Sequence, residues 1–471
     1  MSNLRSYPKH KDSGVTWIGL IPEGWEVVRN KHFLKEFNVP SQNGNEDLLT
    51  VSQYTGITRR KDRLSDENDL LTKAKTLEGY KIVERGSMVM NIMLAWNGSL
   101  GLSDYNGIVS PAYAVFRVNQ KNVYPKFLHY LHRTKLYTGI FETASTGVIK
   151  SRLRLYPEKY LALHSVLPPL NEQFQIACYL DWKTSQINKL IKAKKRQIEL
   201  LKEQKQVIIN DAVTGKIDVR TGKPYPKYKD SGVDWLGKVP EDWEIRRLKY
   251  IVRNINEQTN LKENDELYIA LENVESWTGR INLCFEEVAF ESQVKRFKSD
   301  DILFGKLRPY LAKVVKSTFR GVCVGEFLVL RKCVSDLSTD FLAFKLRSYS
   351  IIHHINKSTF GAKMPRADWD FIGNMLFSVP IFYETQEAIA EYISKRNISI
   401  DKSIDTLEKE IILLKEYQVR IICDIVTGKF EVRSIEVPQY DEEVEESRVD
   451  EEVADQIKDV EMAEKDSEDN K

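Results

Sequence analysis

Residues 7–31 read YPKHKDSGVTWIGLIPEGWEVVRNK, and residues 225–249 read YPKYKDSGVDWLGKVPEDWEIRRLK. Sixteen of these 25 positions are identical, at an offset of 218. A second pair, VTGKIDVR at 213–220 and VTGKFEVR at 426–433, shares six of eight residues at an offset of 213. The chain is therefore a duplicated block of roughly 210 residues, far beyond the ~20–50 residues of a solenoid repeat. Each block runs opening motif, middle, helical stretch, VTGK closure. The middles, 34–165 and 252–378, agree in length to within five residues but share little identity. Opening motif and helix thus form a common frame, and the middles are inserts that do something different in each half. A pair of catalytic domains would instead share its reactive residues.

The helical stretches near 176–213 and 389–426 carry a sustained seam. In the second, Ile393, Asn397, Ile400, Ile404, Leu407, Ile411, Leu414, Gln418, Ile421 and Ile425 step by 4 and 3 throughout. Shifted by 213, the first gives Leu180, Thr184, Ile187, Ile191, Lys194, Ile198, Leu201, Lys205, Ile208 and Ala212. This period predicts a coiled coil, with each helix about 57 Å long at 1.5 Å per residue. Gly215 and Gly428 suit the helix stops. Residues 183–205 carry a net charge of +6 and residues 396–418 one of −1, which favours pairing of the two unlike helices over like with like. Lys194, Lys205, Asn397 and Gln418 in the seam would set register. Antiparallel pairing is expected, because a duplicated unit then closes about a pseudo-twofold axis. The alternative is that each helix packs only on its own domain. The middles alternate short strand-like runs with helical pieces, so the fold class is α+β.

Of 471 residues, 42% are hydrophobic and 10% aromatic, enough for several cores. No apolar run approaches the ~18 residues of a membrane span, and MSNLRSYPKHKDSG lacks a signal-peptide stretch. The cysteines, Cys178, Cys284, Cys323, Cys333 and Cys423, are scattered and form no CxxC pair, which fits reduced thiols in the cytoplasm. The net charge of +2 hides an asymmetry: residues 434–471 sum to −12 and residues 1–433 to +14. A basic body points to a polyanion; the tail, 431–471, is expected to be disordered.

Motifs for chemistry are missing: no GxxxxGK[ST], GxGxxG, HExxH, GxSxG, HxE…CxxC or NPPY-type tetrapeptide occurs. His353-His354 would project apart on a helix, and Asp300-Asp301 fits a turn better than a nuclease pair. The middles instead place polar and basic residues in turn-like positions: VSQYTGITRRK at 51–61, IKSRLR at 149–154, LENVESWTGR at 271–280, GKLRPY at 305–310 and GAKMPR at 361–366. Arg59, Arg60, Lys61, Lys150, Arg152, Arg154, Arg280, Lys306, Arg308, Lys363 and Arg366 can pair with guanine edges or phosphates. Gln53 and Asn273 can pair with adenine, and Glu272 can accept from cytosine. Tyr54 and Trp277 offer flat surfaces or phosphate donors. For any one of these residues a solvated loop is the competing reading. The tryptophans of the two opening motifs, Trp17, Trp25, Trp235 and Trp243, read as core anchors.

The chain resembles the specificity (S) subunit of type I restriction–modification systems. The resemblance rests on the opening motif YPKYKDSGVDWLGKVPEDWEIRRLK, the GKLRPYLAKV run, the Pro168-Pro169-Leu170-Asn171-Glu172-Gln173 start of the first helix and the VTGK closures. The start of the second helix, Pro380-Ile381-Phe382-Tyr383-Glu384-Thr385-Gln386, reads as carrying an insertion. The resemblance implies target-recognition domains at 1–166 and 216–378, spacer helices at 167–215 and 379–430, and the tail beyond. It implies double-stranded DNA as ligand, read at a bipartite asymmetric site. It implies two methyltransferase (M) subunits, which bind S-adenosylmethionine, and restriction (R) motor–nuclease subunits, which use ATP and Mg; this chain would hold no cofactor or metal and touch no membrane. The competing functions are a stand-alone nuclease or methyltransferase, a coiled-coil adaptor without DNA, and the specificity subunit of a related methylase–endonuclease that cleaves beside its site.

Overall fold

The computed structural model describes residues 4–53, 55–62, 76–263, 265–282, 293–359 and 364–438. It divides into two units, residues 1–193 with 410–471 and residues 194–409. Both are α+β.

In the first unit the opening motif forms the hairpin His10–Asp12 with Leu20–Pro22. Its next strand, Glu26–Arg29, pairs antiparallel with His164–Leu167, so the two ends of the middle are tied together. Between them lies an antiparallel sheet of Leu34–Glu36, Tyr113–Val118, Met88–Asn91 and Leu100–Leu102, in that order. Leu49–Ser52 with Gly56–Arg59, and Lys81–Val83 with Gly107–Val109, form two further ribbons. Period-two alternation lets one strand serve two cores. Ala114 and Phe116 face the large cluster with Phe127, Phe141 and Tyr160. Val115 faces the small one with Val51, Ile57 and Val109.

The second unit repeats this order with different side chains. Tyr228–Asp230 pairs with Lys238–Pro240, and Trp243–Arg247 with Leu376–Pro380. The central sheet runs Val252–Ile255, Phe327–Lys332, Ile302–Gly305, Val314–Lys316. Here too Leu328 and Leu330 turn to the large core while Phe327 and Val329 turn to the small one. Trp25 and Trp243 are core anchors, 1% and 0% exposed. Trp17 and Trp235 pack partly buried on the same clusters.

The long helices run Leu170–Val213 and Tyr383–Val426, 44 residues each, or about 66 Å. Both therefore begin six residues before the periodic stretch. Within the first unit Ile176, Tyr179 and Leu180 share a cluster with Ile421, Ile425 and Val426, and Gln418 Nε2 donates to Asn188 Oδ1 (3.3 Å). Within the second, Ile209, Ala212 and Val213 share a cluster with Ile389, Ala390 and Ile393, and Lys205 Nζ meets Asp401 Oδ1 at 2.6 Å. In each unit a rising position on one helix meets a falling position on the other, so the pairing is antiparallel. Ile187, Ile191, Ile198, Ile400, Ile404, Leu407, Ile411 and Ile421 are buried in the seam, while Leu201 and Leu414 are half-buried. Ile208 departs from expectation: it is only half-buried, and Ile209 is 1% exposed in its place. Over this last turn Ile209, Ala212 and Val213, spaced i, i+3, i+4, face the second unit's large core, whereas the equivalent of Ile208 on the other helix, Ile421, keeps its place at 3% exposed.

Two further expectations are corrected. The second helix start carries no insertion. Ser165 and Ser378, Gln173 and Gln386, and the first helical residues Leu170 and Tyr383 all stand at the same offset of 213. Both glutamines do one job. Gln173 accepts from Tyr124 N (2.8 Å) and donates to Pro168 O (2.8 Å). Gln386 accepts from Ser338 N (2.8 Å) and donates to Pro380 O (3.0 Å). Second, the sequence block is not the contact unit. Each opening motif packs on the closure of the other copy: a Cβ at Gly428 would lie 2.5 Å from Pro22, and one at Gly215 2.5 Å from Pro240.

The tail begins packed. Glu431 bridges Arg5, Val432 is fully buried, and Ile435 and Val437 lie against the first unit's core. The expectation of disorder falls on residues 439–471, outside the described residues. Among those described, no helix is long and apolar enough to cross a membrane.

Candidate nucleic-acid interface

In the first unit the turn after Leu49–Ser52 is held from beneath. Arg133, which ends the helix Pro125–His132, donates to Gln53 O (2.7 Å), Leu100 O (3.0 Å) and Ser52 O (3.4 Å). Gly56 closes the turn with φ +74°, and a Cβ there would sit 3.0 Å from the Arg133 guanidinium. Burial pushes that guanidinium down to about 10, since a low-dielectric site disfavours charge. Arg59 lies over the Tyr105 ring (4.8 Å). Lys61 is paired with Asp47 at 2.7 Å. Arg60 is half-buried with its amide on Leu48 O. Tyr54 lies outside the described residues.

The segment 149–154 forms a 3-10 turn at Lys150–Arg152. Lys150 pairs with Glu142 (3.1 Å) near the Trp96 ring. Arg152 is exposed, and Arg154 is half-buried with its backbone bridged to Thr146. Val148 and Ile149 beside them are exposed.

In the second unit the structure brings 305–310 and 364–367 into one surface. Leu307 bridges Arg366, Arg308 N donates to Pro365 O (2.8 Å), and Ala367 N donates to Lys306 O (2.9 Å). Glu326 sits between two of the cations, 2.9 Å from Arg366 and 4.0 Å from Lys306. Arg308 is exposed, adopts φ +50°, and has no side-chain partner among the described residues. Tyr310 and Met364 are exposed beside it. Lys363 lies outside the described residues.

The 271–280 segment is placed differently from the sequence expectation. Asn273 Oδ1 accepts from Ala270 N (2.7 Å) and its Nδ2 donates to Asn282 O (3.1 Å), so its amide shapes the turn. Trp277 packs on the unit's large core, which removes it as a free stacking surface. Arg280 is paired with Asp401 on the long helix at 2.7 Å. Glu272 is exposed. Beneath this turn Arg347, 5% exposed, donates to Val314 O (3.1 Å) and occupies the space a Cβ on Gly279 would need.

Arg133 and Arg347 are equivalent braces that sequence reasoning missed. Their signal was present: Arg133-Thr134 and Arg347-Ser348 stand at one offset of 214, each Ser or Thr at the N-cap position of the next helix, where Thr134 accepts from Tyr137 N. Chemistry of the other candidates is structural. Asp301 is buried and holds Arg331 through two bonds (2.8 and 2.6 Å). His354 stacks on Trp235 and His353 on Tyr349. Among the described residues no group of three or more His, Cys, Asp or Glu is placed to hold a metal.

No family model matches the chain. The type I restriction enzyme MjaVIII specificity subunit of Methanocaldococcus jannaschii is 24% identical over 443 residues, 88% of this chain and 95% of that protein. In fold the chain is similar to one from a solved type I restriction–modification assembly, with a TM-score of 0.62 at 16% identity over 87% of this chain and 99% of that one. It is also similar to the HsdS subunit of Thermoanaerobacter tengcongensis, with a TM-score of 0.51 at 15% identity over 87% of this chain and 98% of that one.

Proposed function

We infer that this chain, which belongs to the specificity subunits of type I restriction–modification systems, is the DNA-reading and non-catalytic member of such a complex. Each middle is a target-recognition domain, the first within 1–166 and the second within 216–378. Each reads one half of a bipartite, asymmetric site in double-stranded DNA in the cytoplasm. The paired helices set the separation of the half-sites and carry two methyltransferase subunits. S-adenosylmethionine belongs to those subunits, and ATP and Mg to the restriction subunits.

One observation carries this reading. The two units share frame, strand order and helix register, while the surfaces they expose differ. Lys306, Arg308 and Tyr310 of the second unit stand where the first has Ile92, Leu94 and Trp96, at the offset of 214 that also relates their sheets. A shared scaffold with unlike surfaces is what reading two different half-sites requires. Cationic side chains position the chain on phosphates, and the few that reach base edges choose sequence. Arg308 and Arg152, exposed on their turns, are the leading base-contact candidates. Gln53, Arg59, Arg60, Lys61, Lys150, Arg154, Glu272, Lys306 and Arg366 form their setting. The +14 body disfavours an adaptor that avoids DNA.

Methylome sequencing of the host with and without the gene tests the assignment. Loss of one split adenine-methylation motif is expected. An unchanged methylome in a host with active methyltransferase subunits would refute it.

A further inference from the structure

The second recognition unit contains a clamp that the reading of bases does not need. Asp401, on the helix Tyr383–Val426, has both carboxylate oxygens taken by cations from two other elements. Oδ1 meets Lys205 Nζ of the helix Leu170–Val213 at 2.6 Å, and Oδ2 meets Arg280 of the recognition segment at 2.7 Å. One turn of helix carries a second tie, because Gln206 Nε2 donates to Trp277 O (3.3 Å). Three elements thus meet at one carboxylate: both long helices and the 275–280 turn.

That turn is over-determined. Trp277 adopts φ +65°, a conformation that costs a bulky residue energy. Gly279 follows at φ +71°, and Arg347 fills the space beside it. Strain of this kind persists only where the surroundings impose it, and it marks places where geometry matters. Stability is a weak explanation for the ion triad, because partly buried pairs recover little net energy once desolvation is counted.

The first unit holds the same seam layer in a different form. Asn188 and Gln418 stand at the offset of 213 from Asp401 and Lys205, and they meet as a neutral amide pair at 3.3 Å. The first unit's counterpart of the 278–280 turn, Thr55-Gly56-Ile57, offers no arginine where Arg280 stands. Among the described residues, the charged clamp is seen in the second unit.

We propose that Asp401, with Lys205 and Arg280, is a positioning site that fixes the orientation of the second recognition surface on the helix pair and so selects the half-site separation the protein accepts. This rests on the split-site reading above. Adding one base pair between half-sites moves the second about 3.4 Å along the duplex and about 35° around it. A surface free to pivot at the 275–280 turn follows that displacement; a clamped one does not. Asp401, Lys205 and Arg280 then govern spacing and leave base identity alone.

The test uses the full chain with its methyltransferase subunits and duplexes carrying the methylome-defined half-sites at the native separation, one base pair shorter and one longer. Asp401→Asn and Arg280→Gln are expected to keep both half-site sequences and to lose the preference for the native separation. Arg280→Lys, which keeps the charge, is expected to retain most of it. Arg280 is half exposed, so its variants test the idea even if Asp401→Asn folds poorly. Wild-type spacing preference in folded Arg280→Gln and Asp401→Asn overturns the proposal, as does altered base choice in the second half-site. Wild-type protein that prefers no separation at all sinks the split-site reading itself, and the wild-type lane alone reports that.

Discussion

Replacing Arg308 with glycine should move stability and DNA affinity in opposite directions. Arg308 is exposed, has no side-chain partner among the described residues, and holds φ +50° and ψ 62°. A left-handed conformation costs a non-glycine residue about 1–2 kcal/mol, which Arg308→Gly removes. Glycine gives back about 0.5–1 kcal/mol in unfolded-state entropy. The backbone bond from position 308 to Pro365 O survives the change. The variant is therefore expected to be more stable by roughly 0–1.5 kcal/mol, at most about 6 °C in Tm for a unit of this size. If the guanidinium reads a base, binding falls by about 1–3 kcal/mol, or roughly 5- to 150-fold in Kd. Arg308→Ala keeps the backbone strain, so it should lose the same affinity without the stability gain. Fluorescence anisotropy of the complex on its split duplex, beside thermal melts, measures both. A base contact relaxes one position of one half-site; a phosphate contact weakens all duplexes alike and lowers the salt slope by about 0.9. Wild-type affinity in Arg308→Gly, or a melt several degrees lower, would refute the reasoning.

Two further outcomes follow from buried groups. Lys345 donates to Val213 O (2.6 Å) and Ser378 Oγ (3.0 Å), and burial pushes its ammonium down to about 7. Between that value and its ordinary 10.5, the unfolded chain holds a proton that the folded unit does not. Stability of the second unit should therefore rise with pH across this window, by at most about 1.4 kcal/mol per pH unit. Lys345→Met should abolish the rise, which denaturant titrations at pH 7, 8 and 9 would check; an equal slope in both proteins would contradict it. Gly428→Ala places a Cβ 2.5 Å from Pro22 at φ +79°. It should destabilise the first unit by about 2–5 kcal/mol, combining left-handed strain with overpacking. Hydrogen exchange should show the second unit unaffected, with Gly215→Ala producing the mirror result.

Much of this architecture was legible because it is periodic or repeated. The 3-4 stepping of Ile187 through Ile421 marked the helices, and the two opening motifs marked the duplication. Charge asymmetry foretold unlike pairing, and the structure supplies its detail in Lys205 on Asp401. The candidate site was legible only as an inventory. Arg280 and Arg308 look alike in sequence, both basic residues in turn-like runs. One is bound to a helix carboxylate some 120 positions away, and the other is open to solvent. Asn273 reads as an adenine partner and proves to be a turn-former, because its neighbours' backbone groups lie within hydrogen-bond reach.

The amino-acid sequence by itself determined the duplication, the α+β class, the long helices and their stops, since these depend on local period and on residues close along the chain. Tertiary structure decided which closure each opening motif meets, which cations stay free, and that Glu326 sits within the basic patch. Those facts depend on side chains from distant segments competing for the same partners, and a linear pattern does not record that competition.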